Sequence, residues 1–150
     1  MCLICERIKM IQENRNPYFV CELETGYVVL GDHQRFNGYT LFLCKEHVTE
    51  LHHLDKPYKM KYLEEMSLTA EAVQIAFGAE KMNYELLGNG DAHLHWHLFP
   101  RNKGDMPIKG PVWWLPKEEL MDERFRPKEK ELNAMKEKLK REITRLHPNM

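Results

Sequence analysis

What this 150-residue chain has little of narrows its reading first. Its 22 basic and 23 acidic residues leave a formal net charge of -1, which argues against broad, sequence-independent attraction to a nucleic-acid backbone, so no nucleic-acid polymer is expected as a partner. Individual phosphates can still be held locally. There is no apolar run of transmembrane length, and the opening MCLICERIKM is too short and too soon charged for a secretory signal. The expectation is therefore a cytoplasmic protein without a membrane partner. No internal repeat is present. Cysteine is scarce, with four residues, and in a chain without export signals thiols stay reduced, so a disulfide framework is not expected. The 43% hydrophobic and 30% charged composition is that of an ordinary soluble protein, and the length fits one domain with an appendage and a real core.

The few cysteines divide into two kinds. Cys21 and Cys44 lie in the apolar runs FVCEL and TLFLC and read as small core residues. Cys2 and Cys5 form a Cys-x-x-Cys pair, half of a tetrahedral zinc site that needs two further ligands from elsewhere. A redox role fits poorly, because no βαβ pattern surrounds the pair, while two incidental thiols remain an open alternative.

Periodicity and turn residues place the elements. ERIKMIQEN reads as a short helix, and YFVCEL and GYVVLG as two strands joined at the Thr25-Gly26 turn. YTLFLC is a third strand entered through Asn37-Gly38. From about Tyr58 to Phe77, Leu63, Met66, Ala70, Val73 and Phe77 recur at steps of three and four, the pattern of a one-sided helix. KMNYELLG is a fourth strand and AHLHWHLFP a fifth, reached across the tight LGNGD turn. Hairpins with one inserted helix predict an α+β domain on an antiparallel five-stranded sheet. At Gly104 the character changes to a Pro/Gly-rich connection, KGDMPIKGP. WWLPKEEL is expected to bury both tryptophans and start a short helix. From Pro127 onward Leu132, Met135, Leu139, Ile143 and Leu146 line one stripe of a charged helix, able to pack on its own subunit or at a dimer interface. The expected organisation is an α+β domain over 1–103 and a C-terminal helical extension over 104–150.

Within the fifth strand, HLHWHLFPR puts three histidines at alternate positions, with Leu94, Trp96 and Leu98 between them. The period of two sends His93, His95 and His97 to one face of a strand and the apolar residues to the other. A tag or low-complexity metal tract would lack the interleaved Leu and Trp. Three imidazoles at strand spacing lie roughly 6 to 7 Å apart along the chain, too widely spread to converge easily on one ion.

HLHWHLF resembles the His-x-His-x-His-x-x signature of the histidine triad (HIT) proteins, a superfamily of nucleotide hydrolases and transferases. NGYTLFLCKEH resembles their upstream strand and following Lys-x-His, and Cys2-Cys5 resembles their zinc-binding branch; together the likeness spans about residues 2 to 101. It implies a HIT-like sheet with one long helix and a structural Zn2+ held by Cys2, Cys5, His47 and His93. It also implies a backbone carbonyl of His93 that orients His95, the candidate nucleophile, with His97 donating to phosphate oxygens or assisting the leaving group. Asn89 and Gly90 of the turn before the triad resemble the family's phosphate-binding loop, although Asn-Gly also makes a plain hairpin turn. Asn83 is a further candidate phosphate or ribose contact, and Asp32 a candidate ribose contact.

Two departures from the common pattern stand out. Gly38-Tyr39 replaces the usual Gly-His, putting a phenol where a supporting histidine is common, and Asp91-Ala92 directly precedes His93 in a shortened loop. The resemblance implies a homodimeric hydrolase that cleaves at the α-phosphate of dinucleoside polyphosphates or nucleoside phosphoramidates through a nucleotidyl-histidine intermediate. Nucleotidyl transfer through the same intermediate is one alternative. A nucleotide-binding interaction module with slow turnover is the other.

Overall fold

The computed structural model describes residues 2–149. Five antiparallel strands, β1 (Phe19–Glu22), β2 (Gly26–Leu30), β3 (Thr40–Cys44), β4 (Lys81–Glu85) and β5 (His95–Arg101), form one sheet in the order β1-β2-β3-β5-β4. β5 therefore lies inside the sheet, between β3 and the edge strand β4, with Leu41 opposite His97 and Leu43 opposite His95.

Alternation assigns each face. Val28, Phe42 and Leu98 point to one side and are fully buried, each contributing about 1.5–3 kcal/mol through burial. Helix α2 (Lys56–Phe77) covers this side, with Tyr62, Met66, Ala70 and Val73 against the sheet. Asp55 caps its start by accepting from the Tyr58 N–H at 3.0 Å, and Gly78 ends it at a left-handed φ of 66°. Helix α4 (Glu129–Leu146) lays Leu132, Met135, Leu139 and Ile143 on α2 and β1, so its apolar stripe is covered by its own subunit. Glu65 of α2, buried, accepts from the N–H groups of Glu24 at 3.0 Å and Thr25 at 2.8 Å and from the Thr25 hydroxyl, fixing the β1–β2 turn on the helix.

The opposite side is covered only in part. Helix α1 (Leu3–Gln12) packs Ile4 and Ile11 on Tyr27, Val29 and Leu43. It starts earlier than the sequence predicts because the Cys2 sulfur accepts from the Cys5 N–H and caps it. At the other end, the connection after β5 returns across the sheet through a tight turn at Val112–Trp114 and the short helix α3 (Lys117–Leu120). Val112 and Leu115 pack there against Phe36 and Phe99.

The expected burial of both tryptophans is not met. Trp113 is 46% and Trp114 63% exposed, because in a turn of about three residues the positions 112 and 115 share the buried face and the two between them splay outward. β5 also begins at His95 and not at Ala92, with His93 in a bend ahead of it. Among the described residues no helix is long and apolar enough to cross a membrane.

Candidate active site and metal centre

Between α1 and the returning connection the sheet is left open, and a cavity of about 300 Å³ lies on it. β5 supplies His95, His97 and Phe99 to its floor, β2 and β3 supply Val29, Leu41 and Leu43, and α1 supplies Ile4 and Arg7. Asp32, Tyr39, Asp91 and Trp113 complete the walls.

His95 is 6% exposed and its Nδ1–H donates to the His93 carbonyl at 2.7 Å. A carbonyl oxygen only accepts, so Nδ1 carries a proton and the neutral ring has its lone pair on Nε2. His97, two residues on, has its ring centroid 4.8 Å from that of His95. Its Nδ1 shares a hydrogen bond of 2.7 Å with the Tyr39 phenol, and its ring stacks with Tyr39 and meets Trp113 edge-on at 5.6 Å. Burial, reinforced by His95, lowers the His97 pKa to about 4, so this imidazole is neutral at ordinary pH. Trp113 is held by an indole N–H bond to Glu85, which faces His97 across β4. Burial raises the Glu85 carboxyl above the usual carboxylate range.

The metal-ligating set predicted from sequence comes together. The donor atoms of Cys2, Cys5, His47 and His93 all lie within 4.8 Å of one another, across chain separations of up to 91 residues. Cys2 Sγ and Cys5 Sγ lie 3.4 and 3.5 Å from His93 Nδ1, Cys5 Sγ is 3.3 Å from His47 Nδ1, and the two Nδ1 atoms are 3.0 Å apart. Metal–ligand lengths of zinc give tetrahedral edges of about 3.3–3.8 Å; the three sulfur–nitrogen distances fall in that range and the nitrogen–nitrogen distance is shorter. The His93 Nε2–H donates to the Cys44 carbonyl at 2.7 Å, which turns the Nδ1 lone pair toward the cysteines. Burial lowers the His93 pKa, favouring the neutral, ligating form. Burial and the neighbouring Cys2 raise the Cys5 thiol, the repulsion that a cation would relieve. His93 reaches this cluster because it sits in the bend before β5 and not in the strand.

The predicted substrate contacts are placed unevenly. Asp32 borders the cavity, held by a two-pronged bond from Arg7 at 3.2 and 3.1 Å. Asn83, opposite the cavity-lining Phe99 in the sheet, does not itself line the cavity, and its side-chain oxygen accepts from Arg101 at 2.9 Å. Asn89 and Gly90 are exposed and do not line the cavity, whereas Asp91 does. The loop bends at Gly88, with a φ of 80°. Gly88 instead borders a second cavity of about 140 Å³ that also reaches His93 and His95. Arg7 and Asp91 were not singled out from sequence; the place of Asp91 two residues ahead of the triad was the available signal, and Arg7 had none.

A family model described as the HIT domain matches residues 13–104. No curated protein matches the chain. Among solved structures, a histidine triad protein from Bradyrhizobium japonicum superposes with a TM-score of 0.73 at 21% identity, over 83% of this chain and 89% of that one. One from Marinobacter aquaeolei gives 0.71 at 25% identity, over 85% and 89%. A zinc-bound histidine triad family protein from Mycobacterium smegmatis gives 0.65 at 18% identity, over 99% and 97%.

Proposed function

The chain belongs to the HIT domain family, and from that premise we propose that it is a nucleotide hydrolase cleaving at the α-phosphate of dinucleoside polyphosphates or nucleoside phosphoramidates. The observation that carries this reading is the bond from His95 Nδ1–H to the His93 carbonyl, which leaves a lone pair on Nε2 of a ring that lines the cavity. Nε2 attacks the α-phosphorus; a P–N bond forms, the bond to the leaving group breaks, and its electron pair departs with that group. The positive charge gained by the imidazole is shared with the His93 carbonyl. Water then attacks phosphorus, the P–N bond breaks with its pair returning to Nε2, and the water's proton passes to solvent. His97 donates a hydrogen bond to the phosphate or to the departing atom.

The apolar wall of Ile4, Val29 and Leu41 suits a base, and the anchored Asp32 carboxylate suits ribose hydroxyls. Asn89 and Gly90, exposed and outside the cavity lining, reach a bound phosphate only if the loop moves with substrate. Asn83 has its side-chain oxygen engaged by Arg101, so a phosphate or ribose contact from it would use its amide nitrogen. Cys2, Cys5, His47 and His93 hold a structural zinc ion, since four protein donors fill a tetrahedron and leave no place for water. A homodimer completes the proposal: β4 is a sheet edge with Tyr84 half exposed, Leu87 just beyond it is half exposed, and the Trp96 indole N–H has no acceptor among the described residues.

Intact-protein mass spectrometry after rapid quench with candidate nucleotides tests the chemistry. An adduct of one nucleoside monophosphate, absent in His95→Ala, supports it, and its mass names the base. Capture of the nucleotide by an acceptor other than water identifies a transferase. Tight binding with no turnover identifies an interaction module.

A further inference from the structure

We propose that Tyr39 is a positioning residue that fixes His97 in the tautomer with its proton on Nε2, so that neighbouring imidazoles on one strand are held in opposite states, His95 as lone-pair donor and His97 as N–H donor. This rests on the reading of His95 and His97 given above.

The direction of the 2.7 Å bond between the phenol and His97 Nδ1 follows from what each group has left over. If the imidazole donated, the phenol O–H would be left without an acceptor, since His97 is the only hydrogen-bond partner of this oxygen among the described residues. A donor shielded from water is destabilised when its hydrogen bond is not made. With the phenol donating, that hydroxyl is satisfied and His97 must carry its single proton on Nε2, which has no protein partner among the described residues, on a ring that borders the open cavity. Burial holds the Tyr39 hydroxyl far above its ordinary pKa, with Glu85 and Asp32 adding to the effect, so its proton stays in place across the working range.

The phenol is also rigidly placed, as a positioning group must be. Its ring stacks on Phe99 with centroids 4.0 Å apart. Gly31 makes room for it: a Cβ there would come within 2.2 Å of the Tyr39 ring. The Tyr39 carbonyl accepts from the Gly31 N–H and from the Gln34 side chain, each at 2.9 Å, and its N–H donates to the Phe36 carbonyl at 2.9 Å. The side chain enters from the start of β3, beside β5, where Leu41 is the register partner of His97. A histidine at this position could change charge near neutral pH; the phenol cannot, and it keeps His97 in one tautomer throughout.

The test uses full-length protein labelled with 15N-histidine, with His97 signals assigned by their loss in His97→Gln. The expected wild-type spectrum shows an unprotonated Nδ1 and a protonated Nε2 for His97, and Tyr39→Phe shows a mixture of tautomers. A protonated Nδ1 in the wild type, or an unchanged His97 in Tyr39→Phe, overturns the proposal. The wild-type spectrum decides even if the variant folds poorly, and needs no turnover, so it stands apart from the proposed hydrolysis. Where turnover is measured, Tyr39→Phe should lower kcat by roughly ten- to a hundred-fold with KM within a few-fold, the loss being larger for poor leaving groups than for activated ones. An equal loss for both is the signature of a general packing defect and counts against positioning.

Discussion

His93 serves two sites at once: its ring Nδ1 lies 3.4 Å from the Cys2 sulfur, while its backbone carbonyl accepts the Nδ1–H of His95 at 2.7 Å. The peptide that orients His95 is thereby tied through its own side chain to the N-terminal helix and to His47. Loss of metal should reach the chemistry without touching a residue of the cavity.

Cys5→Ser tests that coupling. The variant should lose bound zinc, show a lower melting temperature, and lose at least about ten-fold in kcat even under conditions where it is fully folded. Metal analysis, calorimetry and turnover on one sample check this. Full zinc occupancy in the variant excludes the proposed coordination.

His95→Ala removes the proposed attacking atom and one hydrogen bond. Turnover should fall on the order of 10⁴-fold or more, while zinc content and nucleotide affinity stay close to wild type. Activity within a few-fold of wild type rules out a covalent intermediate on this residue.

Stability should depend on pH through His97. Its folded pKa, about 4, lies below the ordinary 6.5, so between those values the unfolded chain binds a proton that the folded chain does not. Stability is therefore fully present above pH 6.5, falls as the pH drops toward 4, and levels off below. The loss amounts to at most about 3 kcal/mol. Acid also protonates the metal ligands, so the comparison is with His97→Gln: denaturant titrations should show the gap between the two proteins changing across this window. A gap constant from pH 7.5 to 4.5 contradicts a buried neutral imidazole.

How much of this was legible in the sequence depended on whether the signal was local. The α2 and α4 stripes and the alternation around His95 and His97 report on neighbours within a few residues, and each element was found close to where it lies. The cluster of four candidate metal ligands followed from a resemblance and not from spacing, because His47 and His93 meet Cys2 and Cys5 only through the folded sheet. What periodicity could not carry was the returning C-terminal connection. It is fastened by contacts distant in sequence: the ion pair of Arg35 with Glu119 at 2.8 Å, the hydrogen bond between His33 and Glu123 at 2.5 Å, and Arg126 donating to the Tyr18 hydroxyl at 2.6 Å. Nor could composition tell that Asn83 would be taken by Arg101. The cap supplied by Cys2 moved the start of α1, and the bend at His93 moved the start of β5, since both ends answer to the metal cluster.

Glu65 is the clearest structural liability in the core. Glu65→Ala leaves the Glu24 and Thr25 N–H groups and the Thr25 hydroxyl without their acceptor and should cost about 2–4 kcal/mol. Glu65→Gln keeps one accepting oxygen and should cost less. Equilibrium unfolding checks the order; equal losses would mean that volume and not hydrogen bonding sets the effect.

The two tryptophans should separate cleanly. Trp113 borders the cavity, meets His97 and Phe99 edge-on at 5.6 Å each, and is tethered to Glu85 through its indole N–H. Trp114 lies outside the cavity against Gly110, where a Cβ would come within 2.3 Å of its ring. A non-hydrolysable nucleotide should therefore quench the fluorescence of Trp114→Phe about as strongly as that of wild type, and that of Trp113→Phe much less. In turnover, Trp113→Phe shortens the wall and releases Glu85 but leaves His95 and His93 in place. It should raise KM by roughly three- to ten-fold with kcat little changed, the pattern of binding shared by ground state and transition state. Trp114→Phe should leave both constants near wild type. A fall in kcat with unchanged KM in Trp113→Phe would instead mean that Trp113 acts through His97, holding the imidazole at its angle to the phosphate and not the nucleotide in its pocket.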